Sequence, residues 1–301
     1  MSGPAPDAGS AATDPDSAAP ESRLDAVRRL AARFAAAGID GSRLDAELLV
    51  AEVVDPGRPD RTRLFLDGRE PLTPSQAAAL AVLEQRRAED RAPVAHLLGT
   101  RGFRHVDLRV DGRVLVPRPE TELLVEVGVG LPHGATVLDV GTGSGAIALA
   151  LADERPDLRI HATDVSPDAL AVARANARRL DLAVTFHEGD LLAGLDAASL
   201  GTPLAVLSNP PYVPDGDRPS LMPEVRDHDP ALALFGGPDG LDVVRRLVPA
   251  AARAGATLLA IEIGAGQATA TAALLHAAGW REVLVRDDLA GIGRVVLGRR
   301  P

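Results

Sequence analysis

Cysteine and lysine are both absent from the 301 residues, and aromatic residues make up only 2%. Without cysteine there is no disulfide, no thiolate metal site and no thiol nucleophile, a usage that fits a cytoplasmic protein. Without lysine there is no Walker A phosphate lysine, no Schiff base and no lysine general base. All 32 basic residues are therefore arginine, against 42 acids, for a net charge of −10. That balance argues against broad, sequence-blind nucleic-acid binding, which needs many phosphate-neutralising contacts. No apolar run is long enough to span a membrane, and the N-terminus lacks the basic-then-apolar order of a signal peptide. What remains is the composition of an ordinary soluble protein, 46% hydrophobic and 25% charged, with a length that suggests two domains.

Residues 1–21 are rich in Ala, Ser, Asp, Pro and Gly and read as a disordered tail. The pattern then turns helical. Leu24, Val27, Leu30, Ala31 and Phe34 recur at helical spacing before Gly38, and a second helix runs from Ser42 to Val53 before Pro56-Gly57. A third begins at Thr73-Pro74, a capping residue with proline in the first turn, and ends in Arg86 and Arg87. Residues 22–92 thus form a small helical domain. Residues 93–122 change period. Val106, Leu108 and Val110 alternate with polar residues, Asp111-Gly112 marks a turn and Val114-Leu115-Val116 follows, which predicts a hairpin and then a stiff hinge, Pro117 to Glu122.

From residue 123 to 301 strands and helices alternate, the signature of a doubly wound parallel sheet. Strands are predicted at Thr136–Val140, Arg159–Thr163, Ala183–His187, Leu204–Leu207, Ala256–Ile263, Arg281–Arg286 and Arg294–Leu297. The last two are joined by Gly291-Ile292-Gly293, too tightly for a crossover helix, so the final strand is expected to run antiparallel. The fold class is α/β, with a Rossmann-like seven-stranded sheet.

Two segments carry the chemistry. Gly141-Thr142-Gly143-Ser144-Gly145 runs directly from strand to helix, where glycines let the backbone turn tightly and approach a ligand. Asp164 closes the next strand and is placed to accept hydrogen bonds from two ribose hydroxyls. That pair of features serves NAD and S-adenosylmethionine equally. Asp190, expected at the end of the third strand, and the backbone of Leu191 could read an adenine edge. Asp139 could hold either the glycine loop or a cofactor amine.

The second segment is Asn209-Pro210-Pro211-Tyr212, straight after a buried strand. Neither proline can donate to a ladder, so the strand ends there and rigid carbonyls are left free of regular pairing. Hydride transfer has no obvious use for such acceptors; methyl transfer to a planar nitrogen does. An amide or arylamine nitrogen is a poor nucleophile because its lone pair is delocalised. If the Asn209 side-chain oxygen and the Pro210 carbonyl accept its two N–H bonds, the lone pair can be aimed at a sulfonium methyl. The same acceptors stabilise the charge that grows on nitrogen, and the face of Tyr212, the one tyrosine in the chain, can add to this.

With these residues the chain resembles the class I S-adenosylmethionine-dependent methyltransferases that act on planar nitrogens. Three further stretches narrow the resemblance: Pro93-Val94-Ala95-His96-Leu97-Leu98-Gly99 with Phe103, Val114 to Glu122, and Asp288-Leu289-Ala290-Gly291-Ile292-Gly293-Arg294-Val295-Val296. They are similar to the release factor glutamine methyltransferases, the PrmC/HemK family, from about residue 22 to the end. The family's pattern departs at His96-Leu97, where many members carry an aromatic residue, and does not include the N-terminal tail. The resemblance implies that S-adenosylmethionine is the methyl donor. The acceptor would be the Gly-Gly-Gln glutamine of class I peptide chain release factors, which the helical domain would help to dock. It assigns Gly141 to Gly145, Asp164, Leu191 and, as an assistant, Asp190 to the cofactor, with Asn209 bordering it. Asn209, Pro210, Pro211 and Tyr212 would hold the glutamine. Glu224 to Gly240 also resembles the family and is assigned no chemistry. The competing expectation is a nucleic-acid base methyltransferase with the same tetrapeptide, which would need a basic target surface; no membrane or stable nucleic-acid partner is expected.

Overall fold

A computed structural model describes residues 20–196 and 200–300. The expected disordered tail lies outside the described residues up to position 19. Between Asp90 and Arg91 the chain divides into two compact units.

The first unit is helical. Helix α1 (Arg23–Ala36) is capped by Ser22, whose hydroxyl accepts from the Asp25 amide, and buries Ala26, Val27, Leu30 and Phe34 along one stripe. Helix α2 (Ser42–Val54) follows, and α4 (Pro74–Ala88) opens on a capping box in which Thr73 and Gln76 satisfy each other's backbone amides. Between them lies α3 (Arg61–Leu66), which the periodicity did not reveal. Six residues with only Leu64 buried show no repeat; the signal that could have found it is Asp60, which caps Thr62 and Arg63. Arg87 is not solvated as a helix-end arginine usually is: it is buried, with Nε donating to Asp45 at 2.8 Å.

The second unit opens with α5 (Val94–Leu98) and a hairpin of β1 (Thr100–Phe103) and β2 (Val106–Arg109). This corrects the expected pairing. Val106 and Leu108 face Phe103 and Arg101 across a two-residue turn, with Arg104 at φ 52°, and Val110 extends the pairing to the Gly99 carbonyl. The nearer segment in sequence takes the ladder, so Val114 to Val116 forms no strand. Val114 and Val116 are buried instead, and a one-turn 3-10 helix, Pro119–Thr121, leads into α6 (Glu122–Val129). Residues 93–122, read as hairpin and hinge, fall in this second unit.

The rest alternates as β3 (Thr136–Val140), α7 (Ala146–Glu154), β4 (Arg159–Asp164), α8 (Pro167–Leu180), β5 (Thr185–Glu188) and β6 (Leu204–Ser208). Two short helices, α9 (Pro223–Arg226) and α10 (Ala231–Leu234), precede α11 (Asp242–Arg253), β7 (Leu258–Glu262), α12 (Ala268–Ala277), β8 (Arg281–Asp287) and β9 (Gly293–Arg299). The seven-stranded sheet has the order β5-β4-β3-β6-β7-β9-β8, and β9 runs antiparallel to both its neighbours. Strands β3, β6 and β7 are buried along their whole length, as expected of parallel strands covered on both faces. Alternate residues feed two cores. Val137, Ala205, Leu207, Leu258 and Ala260 join one side with α6 and α7; Leu138, Val206, Leu259 and Ile261 join the other with α11 and Trp280. The chain winds outward from β3 in one direction and from β6 in the other. Their carboxyl ends therefore flank the crevice where open α/β sheets take ligands.

Candidate active site

At the end of β3 the chain turns through Gly141, Gly143 and Gly145 at φ 75°, 56° and 88°, a region costly for residues with a Cβ. Asp139 holds this loop. It is fully buried, and its Oδ2 accepts from the Thr142 hydroxyl at 2.6 Å and from the Ala148 amide at 3.2 Å. Of the two roles open to Asp139, the loop takes this oxygen. Burial pushes its carboxyl up to about 7. The loop is also tied from the side. Asn176 of α8, completely buried, donates from Nδ2 to the carbonyls of Ser144 and Arg109, and its Oδ1 accepts from the Arg109 amide. One side chain thus fastens the glycine loop to the hairpin. Nothing in the spacing of α8 distinguishes Asn176 from a solvated helix residue; only the fold shows it.

Asp164 is the last residue of β4, as predicted. Its Oδ2 accepts from the Gly143 amide and its Oδ1 from the Ser166 amide, each at 2.9 Å. Each oxygen keeps a lone pair for a further donor. Burial raises its carboxyl above the usual range. Asp190 is not the end of β5, which closes at Glu188; the chain has already turned at Gly189. The Asp190 side chain is exposed and ion-paired with Arg246 of α11. Leu191 follows at φ 58°.

Asn209 follows the last residue of β6. Its Nδ2 donates to the Thr121 hydroxyl at 3.0 Å. Thr121 is buried at the end of the 3-10 turn, and the stiffness of Pro117 to Pro119 sets it there. Along the sequence Thr121 is indistinguishable from the rest of the hinge. The turn itself is pinned where Arg118 Nη2 meets the buried Asp229 at 2.7 Å. Among the described residues no hydrogen bond claims Asn209 Oδ1 or the Pro210 carbonyl.

Beyond the prolines, Val213 bridges to Phe235, and the Gln267 side chain donates to the Tyr212 carbonyl at 2.9 Å. Gly236 and Gly240 lie so close that a Cβ would fall 2.4 Å from the Pro211 carbonyl oxygen and 2.1 Å from that of Tyr212. The stretch from Glu224 to Gly240, given no chemistry by the sequence, is the backing of the tetrapeptide. The Tyr212 hydroxyl lies 3.5 Å from Glu262 Oε1, and burial pushes its phenol up to about 12.

These segments surround one cavity of about 350 Å³. Gly141, Thr142, Gly143, Ser144, Asp164, Asp190 and Leu191 line it together with Asn209, Pro210 and Pro211. Gly145 and Tyr212 do not: Gly145 caps α7 beneath Leu149, and Tyr212 packs behind the prolines toward Gly264. Arg113, Val114, Leu115 and Pro117, the arm expected as a strand, form part of the wall, as do Pro230 and Leu232. Among the described residues no helix is long and apolar enough to cross a membrane, and no group of three or more His, Asp and Glu is placed to hold a metal.

Comparison with known proteins adds a lineage to this geometry. Residues 25–99 match the family model of the PrmC N-terminal domain and residues 119–224 that of the methyltransferase small domain. The release factor glutamine methyltransferase of Deinococcus radiodurans is 44% identical over 92% of this chain and 98% of its own. Those of Caulobacter vibrioides and Mycolicibacterium smegmatis are 44% and 42% identical, over 88% and 91% of this chain and 92% and 96% of theirs. Among solved structures, the hMettl16 catalytic domain in complex with MAT2A 3'UTR hairpin 6 superposes with a TM-score of 0.52 at 13% identity, over 74% of this chain and 81% of that one. This is a likeness of fold alone. With relatives this similar along nearly the whole length, the chain belongs to the family of release factor glutamine methyltransferases.

Proposed function

We propose that this protein transfers the methyl group of S-adenosylmethionine to the side-chain amide nitrogen of the glutamine in the Gly-Gly-Gln motif of class I peptide chain release factors, in the cytoplasm. The observation that carries the proposal is the pair of unclaimed acceptors, Asn209 Oδ1 and the Pro210 carbonyl, lining the same cavity as the glycine loop and Asp164. The residues fit the cofactor. Gly141 and Gly143 have open space where a Cβ would stand, and the Asp164 carboxylate has lone pairs left for two hydroxyls. Gly141 to Ser144 and Asp164 would hold it, with Leu191 and, once it shares its partner Arg246, Asp190 at the adenine side. When bound, S-adenosylmethionine supplies a methyl group on a positively charged sulfur.

The protein's own part is orientation and charge. Asn209 Oδ1 and the Pro210 carbonyl accept the two N–H bonds of the glutamine amide, which fixes the amide plane and so aims the nitrogen lone pair at the methyl. As positive charge grows on nitrogen, both acceptors bind it more strongly than they bind the neutral amide, so the gain lies in the transition state. Pro211 fixes the backbone, and Tyr212 braces it from behind with its hydroxyl toward Glu262. The nitrogen that gains the methyl is cationic until it releases one of its two protons, and in that state it is acidic enough to give the proton to water, so no strong base is needed. The helical unit serves in docking the factor. Transfer of labelled methyl to an intact release factor, run beside duplex DNA and ribosomal RNA, tests the reading. Label in the protein supports it, and label only in nucleic acid overturns it.

A further inference from the structure

The turn from β8 to β9, Asp288 to Ile292, lies within the last stretch by which the chain resembles its family, and no step of the methyl transfer uses it. One carboxylate organises it. Asp288 Oδ1 accepts from the amides of Ala290 and Ile292 at 2.9 and 3.0 Å, and its Oδ2 accepts from Arg294 Nε at 2.9 Å. The backbone closes on itself as well: the Asp288 amide donates to the Ile292 carbonyl at 2.8 Å, and the Gly291 amide donates to the Asp288 carbonyl at 3.0 Å. A turn bonded in this way holds one shape. What it holds out is apolar: Leu289 is 110% exposed and Ile292 38%. Single apolar residues on a surface are ordinary. A leucine at the apex of a turn this rigid is not, because its apolar area stands in a fixed place with little ordering left to do on binding.

The place of the turn in the sheet identifies what would cover it. Val295 of β9 pairs with Glu262, the last residue of β7, and the Arg294 carbonyl accepts from the Ile263 amide, so the turn stands just beyond the carboxyl edge of the parallel strands. Asn209 leaves that same edge at the end of β6. In the order β6-β7-β9-β8 the turn is two to three strands away from it, roughly 10–15 Å at about 4.8 Å per strand. A stable interface covers about 800 Å² on each partner, a patch of roughly 16 Å radius. A folded protein that delivers a glutamine to Asn209 therefore reaches the turn. We propose that Leu289 and Ile292, held out by Asp288, form a docking contact for the release factor and seat in an apolar recess of that protein beside its Gly-Gly-Gln loop. The proposal rests on the functional reading above and deepens it: the cavity selects the glutamine, and the turn selects the folded protein that carries it. A second copy of this chain is the other occupant to test, since β8 is an edge strand. The edge shared with Asn209 favours the substrate.

The test uses the full chain and three variants, Leu289→Ser, Leu289→Met and Asp288→Ala. Leu289 buries nothing in the free protein, so Leu289→Ser should leave the fold intact and the calorimetric Kd for S-adenosylmethionine within about twofold. In steady-state transfer to an intact release factor, its KM should rise about tenfold or more with kcat within about twofold, the factor that full burial of a leucine is worth. Leu289→Met keeps the apolar area and should recover most of the loss. Asp288→Ala frees the turn with Leu289 still present and should raise the KM roughly threefold or more, because the leucine must then be ordered on binding. Calorimetric titration with the release factor should rank the proteins in the same order without turnover. An unchanged KM and an unchanged affinity for the factor in Leu289→Ser would overturn the proposal while leaving the functional reading in place. No transfer by the parent protein would overturn that reading, and the proposal with it. A dimer of the parent protein in sedimentation that Leu289→Ser dissolves, with the KM unmoved, would give the turn to a second copy and overturn the proposal as well.

Discussion

Replacing Asn209 by alanine removes one of the two acceptors on which the proposed chemistry depends, and its size can be worked out in advance. In the resting protein the side chain makes one hydrogen bond, Nδ2 to Thr121, and is half-buried. Its loss costs folding about 1 kcal/mol and lowers Tm by a few degrees at most. The loss in the transition state is larger. A preorganised partner aimed at developing charge contributes about 3 kcal/mol, which at 1.36 kcal/mol per decade is a fall of roughly a hundredfold or more in kcat. The cavity's other wall, from Gly141 to Ser144 and Asp164, is untouched. Binding of S-adenosylmethionine should therefore change by less than about threefold. Single-turnover transfer to a release factor, with calorimetry on the same preparation, separates the two quantities. A hundredfold loss of cofactor affinity with an unchanged single-turnover rate would refute the reasoning and move Asn209 into the cofactor's pocket.

Three further outcomes follow from the geometry. Gly240→Ala puts a methyl 2.1 Å from the Tyr212 carbonyl oxygen at φ 77°, a contact with backbone that cannot yield. It should displace the tetrapeptide and abolish transfer while calorimetry still finds S-adenosylmethionine bound. The Asp139 carboxyl is raised to about 7 by burial from an ordinary 3.8, so between these values the folded state holds a proton that the unfolded state has lost. Stability should fall as pH rises across that window, and Asp139→Asn should flatten the slope in urea midpoints at pH 5 and 7.5; an unchanged slope would show that Asp139 is not its source. Arg118→Ala leaves the Asp229 carboxylate buried without its cation and should cost about 3 kcal/mol by denaturant unfolding, with Asp229→Asn in the same background restoring part of it.

The parts of this fold that could be read along the chain are those whose cause is local. Val137, Leu138 and Val140 are apolar and glycine follows, so the strand stops at Val140; Thr73-Pro74 with Gln76 three residues after Thr73 is a cap complete in itself. Leu204 to Leu207 followed by Asn209-Pro210 announces both the buried strand and its end. The misreadings share a different cause, competition over distance. Val114 to Val116 has the composition of a strand, but β2 is already paired through the shorter turn at Arg104, so those residues became cavity wall. Asp190 reads along the chain as a strand-end acid, but the ladder closes two residues earlier, where Glu188 pairs with Asp164, and the chain has turned at Gly189. Thr121, Asn176 and Glu262 could not be found at all. Each acts on a residue at least 32 positions away, and only the sheet order brings them together.

The most direct measurement is tandem mass spectrometry of a release factor after incubation with this protein and S-adenosylmethionine, with the Asn209→Ala variant beside it. The account predicts one added methyl on the side-chain nitrogen of the Gly-Gly-Gln glutamine, strongly reduced in the variant. An unmodified glutamine, or a methyl on another residue that the variant still installs, would contradict it.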